Sequence, residues 1–173
     1  MARIFVAILL PDDVVTHLHE HLDALRTARP DLRWIAPQNY HLTVRFLGEC
    51  GPREVDRQID HWSGRAAQSA PLNLRLHGAG TFPHDWAAKV LFADVAGDRD
   101  AFTALAGPQQ QPHVTLARTR QSADLSGAVL ELSSYVGPPW QAREIAVVRS
   151  YLRGSGERGP RYEPIERLAL TGR

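Results

Sequence analysis

The spacing of apolar residues changes along the chain, and each change marks an element. "RIFVAIL" (3–9) is an unbroken run rich in β-branched and aromatic residues that stops at Pro11, the pattern of a strand buried on both faces. From Asp12 the spacing becomes three and four, through Val14 or Val15, Leu18, Leu22 and Leu25, which predicts a helix ending before Pro30. "LRWI" (32–35) and "YHLTVRFLG" (40–48) return to strand character, with "APQN" as the turn between them. "PREVDRQIDHWSGRAAQ" (52–68) puts Val55, Ile59 and Trp62 on one side and Pro52 in its first turn, a second helix. "LNLRLHGAGTF" (72–82) and "AKVLFADV" (88–95) pair as strands across the "PHDW" loop, and "DRDAFTALA" (98–106) is a short helix. "HVTLART" (113–119) is a strand, and "ADLSGAVLELSSYV" (123–136) is a helix stopped by Gly137 and two prolines. "AREIAVVRSYL" (142–152) and "RYEPIERLAL" (161–170) close the chain as strands around "RGSGERGP".

The expected order is β-α-ββ-α-ββ-α-β-α-ββ, roughly eight strands with three or four helices. Strands and helices are mixed, but short loops join many of the strands, so antiparallel pairing should dominate. Similar strands, "HLTVRF" (41–46) and "HVTLAR" (113–118), recur in the two halves with loosely similar surroundings. The expectation is one α+β domain over 1–173 with two pseudo-symmetric lobes.

Composition narrows the function classes. The apolar (43%) and charged (23%) fractions are those of a globular protein. A net charge of +1 gives no global drive towards nucleic acid, so phosphate recognition would need a local cluster. A lone cysteine, Cys50, excludes an internal disulfide and any cysteine-based metal cluster; it reads as an unreactive surface or edge thiol. The run "IFVAILL" (4–10) is too short to span a bilayer and lacks the flanks of a secretory signal, which leads us to expect a cytoplasmic protein.

Chemistry concentrates in the two His-x-Thr triplets. Eight histidines and eight threonines placed at random would give roughly 0.4 such triplets, so the motif alone carries little weight. Its setting carries more: each copy opens an alternating strand and follows a turn signal, "PQNY" or "PQQQP". On a strand, positions i and i+2 project from one face, about 6.5–7 Å apart. His41 with Thr43, and His113 with Thr115, would each aim an imidazole and a hydroxyl at one space. Leu42, Val44, Phe46, Val114 and Leu116 would anchor the other face. A single triplet is more simply a histidine hydrogen-bonded within a sheet; a matched pair is better explained as a site. Two histidines can stand one neutral and one charged near neutral pH, which suits a reaction needing a base on the attacking side and an acid on the leaving side. In-line displacement at phosphorus is such a reaction, and threonine hydroxyls can donate to the non-bridging oxygens. Two His and two Thr are a poor zinc ligand set. The expectation is therefore no metal and no cofactor.

In these features the chain resembles the two-histidine (2H) phosphoesterase superfamily, specifically its LigT-like RNA 2′,3′-cyclic phosphodiesterases, historically called 2′-5′ RNA ligases. The landmarks are "RIFVAILLP", "LRWIAPQNYHLTVRFLGE", "GAGTFP…KVLFADV", "PHVTLAR" and "VVRSYL…GPRYEPI". The resemblance implies a bilobal fold with mostly antiparallel sheets lining a central cleft and helices outside. It implies hydrolysis of an RNA 2′,3′-cyclic phosphate to a 2′-phosphate, with His41 and His113 as the catalytic pair and Thr43 and Thr115 on the phosphate. In that reaction the 3′-oxygen departs, and the same resemblance is carried over to make His41 the acid that protonates it and His113 the base that activates water. One departure stands out: only 17 residues separate Val95 from His113, fewer than the family usually has there.

Other residues carry weaker signals. Arg45 shares the face of His41 and Thr43, and reads either as a guanidinium at the cleft or as an exposed strand-end arginine. For Arg118 the resemblance favours the phosphate, whereas alternation from His113 points it away. Arg149, Arg153, Arg158 and Arg161 surround a Gly-rich loop that could follow an RNA backbone, though such loops are more often simply solvated. Trp86 in "PHDW" is the better base-stacking candidate; Phe82 and Trp34 read as core. His17 and His21 share one helix face without a third ligand and read as solvated. The implied partners are RNA ends or nucleotides with a 2′,3′-cyclic phosphate, no membrane, and no second copy of the chain. RNA end-joining, hydrolysis of a small cyclic phosphate, and non-catalytic binding of RNA ends are the competing functions.

Overall fold

A computed structural model describes residues 1–152 and 159–173. Arg153 and Arg158 lie outside the described residues. Strands β1 (Ala2–Leu9), β2 (Arg33–Trp34), β3 (His41–Cys50), β4 (Leu72–His84), β5 (Ala87–Gly97), β6 (His113–Ala123), β7 (Trp140–Ala142), β8 (Glu144–Tyr151) and β9 (Arg161–Ala169) form one sheet. The order is β7-β4-β5-β6-β3-β1-β8-β9, with β2 pairing on β6, and every pairing is antiparallel. Helices α1 (Asp12–His21), α2 (Asp23–Ala28), α3 (Pro52–Ala67), α4 (Arg99–Ala106) and α5 (Ser126–Leu132) are the remaining regular elements among the described residues, with a 3-10 turn at Pro37–Asn39. The α+β class and the antiparallel architecture agree with the sequence pattern.

Three expectations need correction. The single helix expected after Asp12 is two, α1 and α2, divided at Leu22. The helix expected over 123–136 spans only Ser126–Leu132, because Val136 leaves it to bridge His77. The short strand β7, unmarked in the sequence, pairs with the start of β4.

The sheet is narrowest in its middle. β3 and β6 share one Cα pair, Leu42 with Val114, whereas β1 and β3 run side by side from Ala2–Cys50 to Leu9–His41. That seam divides the sheet into the lobe β3-β1-β8-β9 and the lobe β6-β5-β4-β7. The helix-bearing face holds the main core, including Ile4, Val6, Ile8, Leu42, Val44, Val114, Leu116, Trp62 and Phe102. The other face carries a small separate cluster: Phe5, Ala7, Ala146 and Val148, flanked by Leu9 and Tyr162. Leu42, Val44, Val114 and Leu116 are all at most 1% exposed. A one-residue slip would turn them to solvent at about 1.5–3 kcal/mol each, so core packing is what aims the histidines at the open face.

α4 occupies the short interval before His113. It is eight residues long and ends at Gly107, whose φ of +101° lies outside the helical range. Arg65 donates to the carbonyls of Ala104 and Leu105, and Arg45 to that of Ala106. Both guanidiniums also lie over the Trp62 ring, 5.9 Å from its centroid. Cations at the last carbonyls satisfy the acceptors a helix end leaves open.

Candidate active site

The antiparallel pairing of Leu42 with Val114 sets a local two-fold relation, so His41 stands beside Thr115 and Thr43 beside His113. Each histidine is anchored in the same way. The Nδ1–H of His41 donates to the Asn39 carbonyl at 2.7 Å, and that of His113 to the Gln111 carbonyl at 2.8 Å. A carbonyl only accepts, so both anchors place the ring proton on Nδ1 and leave Nε2 of each neutral ring able to accept a proton. The turns that precede both motifs in the sequence supply these carbonyls. Thr43, 6% exposed, donates its hydroxyl to Nε2 of neutral His41 at 3.1 Å. Asn39 is itself held by its side-chain amide, which donates to the Pro160 carbonyl at 3.0 Å.

Two pairs of aromatic rings enclose the histidines. His41 lies 4.9 Å from Phe5 and edge-on to Tyr162 at 5.4 Å. His113 lies edge-on to Phe82 at 5.0 Å and to Phe92 at 5.3 Å. Phe82 and Phe92 stack on each other at 4.5 Å. Sequence reasoning missed Phe5, Tyr162 and Phe92 as site residues and assigned Phe82 to the core, because their approach depends on the order of six strands. Burial in this surround is the main cause that pushes both histidine pKa values below the usual 6.5. The carbonyl anchors act in the opposite sense, and the Arg118 charge adds to the lowering at both rings. Asp94, the Cα partner of His113 on β5, favours the charged form of His113. Burial likewise raises the Tyr162 pKa, against the pull of the Arg118 and Arg3 charges.

Bulges relocate both arginines next to the motifs. Thr43 pairs with Ala7 and Arg45 with Val6, so Val44 is an extra residue on β3. Thr115 pairs with Phe92 and Ala117 with Leu91, so Leu116 is an extra residue on β6. Each bulge lies three residues after its histidine, and each reverses the alternation beyond it. Arg45 therefore turns to the helix side, where it caps α4 instead of facing the cleft. Arg118 turns to the histidine side, against simple alternation, and its Cα partner Arg33 lies next to it on β2. Phe46 moves the other way from its expected core position: it pairs with Phe5 on the cleft face and is 69% exposed.

The remaining candidates fall elsewhere. Arg149 is the Cα partner of Ile4, so it faces the helix side, where it lines a cavity of about 380 Å³ with Met1, Cys50 and Val55. Its guanidinium lies over the Tyr151 ring at 4.5 Å, and Arg161 lies over the same ring at 4.1 Å. Trp86 is 69% exposed at the β4–β5 tip and stacks flat on His84 at 4.5 Å. Trp34 packs against the core, its indole N–H donating to the Arg29 carbonyl. Cys50 is buried, at 3% exposure, and is not a surface thiol. The His17 ring nitrogen bonds the Tyr135 hydroxyl at 2.9 Å, and the His21 ring lies 4.4 Å from the same tyrosine ring. Among the described residues no three His, Cys, Asp or Glu side chains converge to hold a metal, and no helix is long and apolar enough to cross a membrane.

Comparison with known proteins identifies this sheet, with paired histidines flanking its seam, as a phosphoesterase scaffold. Residues 8–92 match the family model described as LigT like Phosphoesterase. The RNA 2′,3′-cyclic phosphodiesterase of Thermus thermophilus is 30% identical over 98% of this chain and 91% of its own length. The protein of the same name from Geobacillus stearothermophilus is 26% identical over 97% of this chain and 57% of its own length. The crystal structure of TT0787 from Thermus thermophilus superposes with a TM-score of 0.77 at 28% identity, covering 98% of both chains. The chain belongs to the LigT-like phosphoesterase family.

Proposed function

We propose that the protein hydrolyses 2′,3′-cyclic phosphate ends of RNA to 2′-phosphates, without a metal, by proton transfer between His41 and His113. The observation that carries this reading is the matched anchoring: both Nδ1 atoms are tied to carbonyls two residues upstream, leaving both Nε2 atoms for chemistry. Neutral Nε2 takes a proton from water, and protonated Nε2–H gives one to the departing ribose oxygen. Thr43 and Thr115 share the histidine face and donate to the non-bridging oxygens, where charge sits in the transition state. The Arg118 guanidinium balances the phosphate charge from the same side. The names of the relatives support the substrate class.

The test uses a cyclic-ended oligonucleotide in EDTA. Opening to a 2′-phosphate is expected, with loss of turnover in His41→Ala and in His113→Ala. Turnover surviving in either variant, or a wild type that opens no cyclic end, would overturn the reading. End-joining would show as oligonucleotides lengthened by a 2′-5′ linkage.

The assignment of His41 as acid and His113 as base has a rival, because Asp94 beside His113 favours the proton resting there. An aryl phosphodiester whose leaving group needs no protonation separates the two. It should restore turnover to the variant lacking the acid, and only to that one.

A further inference from the structure

The tip of the β4–β5 hairpin holds an aromatic pair that neither the core nor the histidines use. Trp86 is 69% exposed there, and its ring stacks flat on that of His84, with centroids 4.5 Å apart and planes 6° from parallel. His84 covers one face of the indole and leaves the other open. The tip is braced from two sides: the Thr81 hydroxyl donates to the Asp85 carboxylate, and the Leu125 N–H donates to the Asp85 carbonyl at 2.8 Å. Leu125 belongs to the buried core, so the turn is pinned to the body of the protein. The ring pair is held ready instead of being ordered on binding, which lowers the entropic cost of a ligand.

The pair continues the histidine face of the sheet. Phe82 lies edge-on to His113 at 5.0 Å and is the Cα partner of Val90, which pairs in turn with Arg118, so these residues form one row. Between Phe82 and His84 the register shift falls on β5, where Lys89 is the extra residue, and β4 itself alternates without a break. Pro83 therefore shares the helix side with its partner Ala88, a core residue, and His84 returns to the side of Phe82. His84 stands two residues past Phe82, about 6.5–7 Å further along the strand. That is a step one unstacked nucleotide can span. The charge beside this path is basic: Arg33 pairs with Arg118, and Arg120 follows two positions on along β6, with Thr119 between them donating to the Ala88 carbonyl at 3.2 Å. The nearby acids are engaged, Asp85 by the Thr81 hydroxyl and Asp124 by the Ser126 N–H. An exposed ring at the end of a line of cations suits a single nucleic-acid strand.

Resting on the hydrolysis proposed above, we infer that the open face of Trp86 is a second nucleotide subsite, which stacks the base preceding the cyclic-ended nucleotide, so the protein prefers oligonucleotide ends to mononucleotides. The base, Trp86 and His84 then form a three-ring stack, and the phosphate joining the two nucleotides runs beside the basic edge of β6. Stacking engages the face of the base, so this position accepts all four bases.

The experiment measures KM and kcat of wild type, Trp86→Ala and Trp86→Phe on three substrates: adenosine 2′,3′-cyclic phosphate, the dinucleotide ApA with the same cyclic end, and that dinucleotide with its first base removed, which keeps the joining phosphate. In wild type the KM of the intact dinucleotide should lie roughly 5- to 150-fold below that of the abasic one, the worth of one stacked base. Trp86→Ala should lose that difference with kcat and the mononucleotide KM unchanged, and Trp86→Phe should keep most of it. No difference in wild type, a difference that survives in Trp86→Ala, or an equal KM rise for the mononucleotide would overturn the subsite. Calorimetric titration with the 2′-phosphate forms of the two dinucleotides keeps the test independent of turnover. If the wild type opens no cyclic end, the hydrolysis reading fails, but tighter binding of the intact form that vanishes in Trp86→Ala still supports the subsite. Equal binding of the two forms to wild type refutes it.

Discussion

Gly80→Ala tests the wall behind His113. A methyl group built on Gly80 would stand 2.5 Å from Cζ of the Phe92 ring, 2.9 Å from Cε2 and 3.3 Å from Cε1. Carbon atoms rest about 3.5–4.0 Å apart, so the ring has to retreat by about an ångström. It has little room to do so, because Phe92 is 4% exposed, stacked on Phe82 and edge-on to His113. Gly80 is absent from the glycines with positive φ, so space and not backbone conformation demands the missing side chain. Overpacking of this kind costs about 1–3 kcal/mol, more than the roughly 0.5–1 kcal/mol that alanine regains over glycine in a strand. For a chain of this size each kcal/mol lowers Tm by about 2–4 °C. Displacing His113 by up to an ångström would also lower kcat, by as much as ~100-fold. Thermal and urea melts followed by circular dichroism measure the first effect, and turnover of a cyclic-ended oligonucleotide measures the second. The double variant Gly80→Ala with Phe92→Leu removes the clashing ring edge and should recover stability. Wild-type stability in Gly80→Ala, or no recovery in the double variant, would show that Phe92 does not lie on Gly80 as described.

Further outcomes follow from the same geometry. Arg45→Ala should lower Tm by a few degrees through the loss of a cap on α4 while leaving KM and kcat alone, whereas Arg118→Ala should raise KM with little change in Tm; the reverse pattern would contradict the bulge-driven placement of both. Thr43→Val removes the hydroxyl that donates to His41 and, in the proposed reaction, faces the phosphate, and should cost about 1–3 kcal/mol in kcat/KM; an unchanged value would exclude both roles. The depressed pKa of both histidines places the kcat/KM optimum of the free protein below about pH 6.5, falling as pH rises and the second proton is lost; an optimum above neutrality in kcat/KM would refute it. Because the folded pKa values lie below the unfolded ones, the unfolded chain binds more protons in acid, so stability is full above about pH 6.5 and declines as pH falls through the folded values; His41→Gln should flatten that decline in Tm.

What could be read from the sequence depended on how far a residue lies from the nearest irregularity in its strand. His41, Thr43, His113 and Thr115 sit within one residue of the seam pair Leu42–Val114, where alternation is intact, and their sharing of one face was legible from spacing alone. Arg45, Phe46 and Arg118 lie beyond Val44 and Leu116, and for all three alternation gave the wrong face. No residue type announces those bulges: a valine and a leucine are ordinary strand residues, and the extra position exists only relative to Ala7 and Val6 on β1, or to Phe92 and Leu91 on β5. The aromatic surround was hidden for a related reason, since Phe5, Phe92 and Tyr162 reach the histidines only through the order β9-β8-β1-β3-β6-β5. Both bulges fall at the same distance from their histidines, so the repeat in the chain extends past the visible motif to His-x-Thr, a bulge, and a cleft-facing residue at the fifth position. The two lobes agree in that backbone device and differ in what it presents, a guanidinium in one and a phenyl ring in the other.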